Sequence, residues 1–109
     1  DFTYIDNVIQ MNELAMLTKD PQAVNTVYNT AYGDRTTLKQ LVQLLKDNLA
    51  QFDPKIAEVE VLHGPNRAGD IPHSLASIEK AKNNLGYNPQ FSIGQGIKEA
   101  VSWYFHNLK

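Results

Sequence analysis

Apolar residues recur at helical intervals over several parts of this chain and alternate with polar ones over shorter stretches, so both helices and strands are predicted. Phe2 to Ile5 has the composition of a short strand, and Asp6 would then cap a helix whose apolar positions are Val8, Met11, Leu14 and Ala15. That helix stops at Asp20-Pro21, because proline disfavours the helical conformation in the residue before it. Val24 to Asn29, rich in Val, Thr and Tyr, predicts a second strand that leads into a loop over residues 30–35. The clearest helix follows: Leu38, Leu41, Val42, Leu45, Leu49 and Phe52 fall at i, i+3, i+4, i+7, i+11 and i+14, with Thr36 or Thr37 as cap and Asp53-Pro54 as stop. Glu58-Val59-Glu60-Val61-Leu62 alternates, which predicts a strand with one wet face. His63 to His73 holds Gly64, Pro65, Gly69 and Pro72 and must be a loop, longer than most connections and so a functional suspect. Ser77 is placed to cap a short helix that ends at Leu85-Gly86, and Ser92 to cap a last helix with the stripe Ile93, Ile97, Ala100, Val101, Tyr104 and Leu108. The expected fold class is therefore α/β, with three or four helices and short strands in one unit over residues 1–109.

Composition narrows the function more than the fold. A length of 109 residues suits one small domain and is short for a complete enzyme of the doubly wound type. Ten basic residues against twelve acidic ones are dispersed, which argues against nucleic acid and against an anionic membrane as partner. There is no cysteine, so disulfides and thiolate metal sites are excluded. No apolar run reaches the roughly 20 residues of a membrane helix, and the expected home is the cytoplasm. The chain starts at Asp1 inside a strand-like run with no methionine, as an excised fragment would.

The loop Gly64-Pro65-Asn66-Arg67-Ala68-Gly69-Asp70-Ile71-Pro72-His73-Ser74 carries the most chemistry. Arg67 offers a planar fork of donors suited to phosphate, Asp70 offers acceptors suited to sugar hydroxyls, and Gly69 permits a tight turn between them. On composition alone, a surface turn closed by an Arg67–Asp70 ion pair explains the same residues. Arg35 precedes the clearest helix, where free N–H groups and the helix dipole favour an anion, although Asp34 beside it could simply neutralise it. His63, His73 and His106 have no metal-binding spacing, and no metal is expected. Each of the five tyrosines was tested for a lysine four residues on, and those positions hold Val8, Tyr32, Thr36, Phe91 and Leu108. Gly94 and Gly96 lack the third glycine and the preceding strand of a dinucleotide fingerprint.

Four blocks, Asp1-Phe2-Thr3-Tyr4-Ile5-Asp6-Asn7, Val27-Tyr28-Asn29, Arg67-Ala68-Gly69-Asp70-Ile71 and Leu85-Gly86-Tyr87-Asn88-Pro89, resemble in order and spacing the C-terminal, substrate-binding part of extended short-chain dehydrogenase/reductases, the NAD-dependent epimerase/dehydratase family. The resemblance is closest to UDP-N-acetylglucosamine 4-epimerases of surface-polysaccharide pathways. It implies that Arg67 reaches the diphosphate of a UDP-sugar, Asp70 its ribose, and Arg35 the diphosphate from a second side. It also implies that Ser74 lies beside the sugar's 2-substituent, where a small residue admits an N-acetyl group. The family's catalytic Ser/Thr, Tyr and Lys, with the Rossmann-like NAD-binding domain, would lie upstream of Asp1, so this part alone would carry no catalytic or cofactor residue and would be inactive. Nucleotide-sugar dehydratases or decarboxylases share the architecture and remain an alternative, as does a stand-alone α/β binding module. Strands meant to join a sheet elsewhere would leave an edge and an apolar face open, and a homo-oligomer is expected on that ground.

Overall fold

The computed structural model describes residues 1–71 and 73–108; Pro72, placed in the long loop, and Lys109 lie outside the described residues. Four α-helices form: α1 (Ile5–Leu17), α2 (Leu38–Leu49), α3 (Glu79–Leu85) and α4 (Ile93–Asn107), with a 3-10 turn over Pro54–Glu58. The helix ends follow the capping chemistry. Thr37 accepts from the Gln40 N–H while the Gln40 side chain accepts from the Thr37 N–H, and Ser92 and Gln95 make the same reciprocal pair at the start of α4. Gly86 closes α3 at φ 69°. Tyr4, not Asp6, holds the cap position of α1, and Asp6 sits in its first turn. Ile78 takes the cap position of α3, with the Ser77 hydroxyl 3.5 Å from the Glu79 N–H.

No strand forms among the described residues, so the α/β expectation is corrected to an all-helical arrangement for this chain. An extended run becomes a strand only when a neighbour pairs its N–H and C=O groups. Residues 2–4 run without regular structure, and Tyr4 packs on α4. Residues 24–26 bend, and Asn25 takes a left-handed φ of 55° that a strand excludes. Val59 to Leu62 lies exposed in solvent.

The core gathers Met11 of α1, Ala23 and Ala31 of the connection, and Ile78, Ala81, Leu85 and Tyr87 around α3. Tyr87 is buried and donates from its hydroxyl to the Ala31 carbonyl at 2.7 Å. Burial pushes its phenol above the ordinary 10.0, and the same holds for Tyr4, where burial is joined by the charges of Asp6 and Glu99. The folded chain then holds these protons more tightly than the unfolded chain. Their contribution is complete below about pH 10 and is lost as the pH climbs through the raised folded values. Tyr87→Phe orphans the Ala31 carbonyl and is expected to cost about 1–2 kcal/mol at neutral pH, and to shrink the alkaline loss of stability, as urea titrations at pH 7 and pH 11 would show.

A second packing centre joins α2 to α4: Phe52 stacks on Phe105 at 4.7 Å, and His106 meets Phe52 edge-on at 5.3 Å. Between the two centres, Asn7 of α1 is wholly buried and grips residues 90–91. Its Oδ1 accepts from the N–H groups of Gln90 (3.0 Å) and Phe91 (3.1 Å), and its Nδ2 donates to the Phe91 carbonyl (2.8 Å). One turn on, Gln10 exchanges two 2.7 Å bonds with the main chain of Asn88. The side chains of α1 thereby do for residues 88–91 what a neighbouring strand would do.

Gly96 lies where α4 meets Tyr4: a Cβ there would come within 2.9 Å of the Tyr4 Cβ, an atom that cannot swing aside. Alanine gains about 1 kcal/mol in helix propensity but loses about 1–3 kcal/mol to overpacking. Gly96→Ala is therefore expected to lower the melting temperature.

Candidate functional site

Arg67 and Asp70 face one another across the turn that Gly69 makes at φ 79°. The Asp70 N–H donates to the Arg67 carbonyl at 3.2 Å, and the guanidinium Nη2 lies 3.2 Å from Asp70 Oδ1. Both side chains are open to solvent, Arg67 by 85% and Asp70 by 50%. The two groups do share one side of the turn, and they hold each other rather than lining a closed pocket. Every described residue from Ala57 to Leu75 is exposed, so the loop presents its chemistry outward.

Ser74 is exposed as well, and its carbonyl accepts from the main-chain nitrogen of Asp1 at 2.7 Å. The Asp1 carboxylate in turn accepts from the N–H groups of Tyr32 (3.3 Å) and Gly33 (2.9 Å). Asp1 thus ties the end of the long loop to the glycine turn that leads to Arg35. That turn is packed tightly: a Cβ on Gly33 would sit 3.1 Å from the Ile78 side chain, and φ there is 91°. A cleft of about 370 Å³ opens beside it, lined by Tyr32, Gly33, Leu75, Ser77, Glu79 and Lys82 among others.

Arg35 is exposed, and among the described residues it forms no ion pair. The capping box already engages the N–H groups of Thr37 and Gln40, so an anion at the start of α2 would depend on Arg35 with the N–H groups of Leu38 and Lys39. The structure therefore brings Arg67 to Asp70, and Ser74 to the turn before Arg35, with no direct contact between the two arginines among the described residues. The part of Asp1 in joining Ser74 to residues 32–33 has no signal in sequence spacing, since the partners lie 73 and 32 residues away from it.

A larger cavity of about 780 Å³ lies between residues 2–5, Leu41 and α4, with Tyr4, Ile97 and Trp103 on its walls, and it contains none of these four residues. No described helix is long and apolar enough to cross a membrane.

No protein-family model matches the chain. It is similar to dTDP-L-rhamnose 4-epimerase of Burkholderia thailandensis (26% identical, covering 99% of this chain and 28% of that protein). It is similar also to a putative UDP-glucose 4-epimerase of Methanocaldococcus jannaschii (26%, covering 98% and 31%) and to UDP-glucuronate 4-epimerase 1 of Arabidopsis thaliana (30%, covering 95% and 25%). The chain thus spans about a quarter to a third of the length of the curated relatives it matches. Similarity along nearly all of its residues to 4-epimerases of three different nucleotide sugars supports a place for this chain in the NAD-dependent epimerase/dehydratase family.

Proposed function

We propose that this chain is the UDP-sugar-binding, C-terminal part of a UDP-N-acetylglucosamine or UDP-glucose 4-epimerase that works in the cytoplasm, as a homo-oligomer, in the synthesis of a surface polysaccharide. The observation that carries the proposal is the Arg67–Asp70 pair, two complementary recognition groups on one side of a solvent-exposed turn. An exposed ion pair of this kind is worth about 0–1 kcal/mol. A charge-assisted hydrogen bond from arginine to a diphosphate is worth about 1.5–3 kcal/mol. A nucleoside diphosphate therefore outcompetes Asp70 for the guanidinium and frees the carboxylate to accept from ribose hydroxyls. Arg35 meets the diphosphate from the start of α2, and Ser74 lies beside the sugar.

The residues of this chain do not fit NAD. Gly94 and Gly96 lie inside α4, and Tyr4 fills the space in front of Gly96, so no glycine turn is open to a pyrophosphate. NAD and the proton-transferring groups belong to the rest of the polypeptide, and the share of the reaction that falls to this chain is to bind and orient. Turnover of UDP-N-acetylglucosamine and of UDP-glucose by the complete polypeptide, resolved into C4 epimers, tests the assignment. Ser74→Tyr is expected to abolish turnover of the N-acetylated substrate while sparing UDP-glucose. Unchanged turnover of the N-acetylated sugar would overturn the role of Ser74, and absence of any C4 epimer would overturn the reaction.

A further inference from the structure

Helix α1 is apolar on two sides, and only one of them is covered. Inward it presents Asn7, Met11 and Leu14 to the core and to residues 88–91. Outward it presents Ile5, Ile9 and Met16, which are 59%, 53% and 76% exposed and fall within an arc of about 40° at helical pitch. Leu17 continues the outward side, and the connection that follows exposes Val24 and Val27. A helix apolar all round is a buried helix. The chain is also drawn out for its size. Its radius of gyration is 17.1 Å, where about 13 Å is usual for a compact domain of this length, and three of its eight buried apolar residues are alanines.

We propose that the outer face of α1, centred on Ile5, Ile9 and Met16, is a docking surface for the remainder of the same polypeptide, so that α1 lies sandwiched between the two parts. This rests on the proposed function above. Two observations select the occupant. The curated relatives are about three to four times longer than the matched region, so a body large enough to cover the face is present in them. The only charges on α1 are Asp6 and Glu13, on one flank of the stripe, so the covering surface is apolar at its centre and basic on that side.

The test places cysteine at one outward position at a time, Ile9→Cys or Met16→Cys, in the complete polypeptide freed of other reactive cysteines, with Lys39→Cys as an exposed reference, and follows modification by a maleimide. The expected result is modification about 100-fold slower at positions 9 and 16 than at 39, as when labelling must await a local opening, with no change on dilution. Equal rates would overturn the proposal. Protection lost on dilution would overturn it too, assigning the face to a second copy, and so would a gene encoding nothing beyond these 109 residues. A UDP titration of the same samples keeps the two readings apart. Protected cysteines without UDP affinity overturn the nucleotide-sugar assignment alone, and UDP affinity with freely labelled cysteines overturns the docking alone.

Discussion

Asn7→Leu is expected to remove most of the stability of this chain. Leucine fills a similar volume but leaves the N–H groups of Gln90 and Phe91 and the carbonyl of Phe91 without partners, in a place that excludes the asparagine side chain wholly from water. Each orphaned buried group costs about 1–3 kcal/mol. Residues 90–91 are partly reached by solvent, which puts the sum at about 3–5 kcal/mol, against a total of about 5–15 kcal/mol for an ordinary domain. A small, alanine-rich core sets this chain toward the lower end of that range. Urea unfolding followed by circular dichroism measures the loss. A change below about 1 kcal/mol would show that Asn7 is not the clamp between α1 and residues 90–91. Gln10→Ala removes two bonds to Asn88 at an exposed position, where water can replace them, and should cost less.

Arg67→Ala carries the second large effect, and it falls on binding instead of folding. In the complete polypeptide the affinity for UDP-sugar is expected to drop by about 10- to 100-fold, the loss of one charge-assisted contact. Stability should move by no more than about 0.5 kcal/mol, because the guanidinium packs against nothing but the Asp70 carboxylate and stands in solvent. Arg67→Lys keeps the charge without the planar fork and should recover part of the affinity. Calorimetric titration with UDP, paired with a melting curve, separates the two readouts. Unchanged affinity would remove Arg67 from the site, and an equal loss of stability would recast it as a structural residue.

How far the sequence spoke for the structure depended on the range of the interaction. Helix ends were legible because their chemistry is local: Thr37 with Gln40, Ser92 with Gln95, and Gly86 after Leu85 act within three residues. The three strands were misread because alternation reports only that a segment could be half buried, while pairing needs a second strand elsewhere. Asn25, in left-handed backbone, and the solvent around Val61 show that no such partner reaches those runs here. The same rule covers the site. Arg67 and Asp70 could be foreseen as a pair at i and i+3, whereas the meeting of Ser74 with Asp1 and of Asp1 with Gly33 is made by folding alone. Asn7 is the instructive case: an asparagine inside a helix offers no periodic signal, and its partners lie 83 and 84 residues away.

The stretch from Val59 to Ser77 is fastened only at its two ends, by the turn that packs on α2 and by the bonds of Ser74 and Ser77 to Asp1 and Asn29. Doubling the length of a loop so held costs only about 0.6 kcal/mol in closure entropy. Insertions, deletions and exchanges can therefore accumulate between those anchors without disturbing any helix, and a lineage can retune which sugar it grips while its scaffold stays the same.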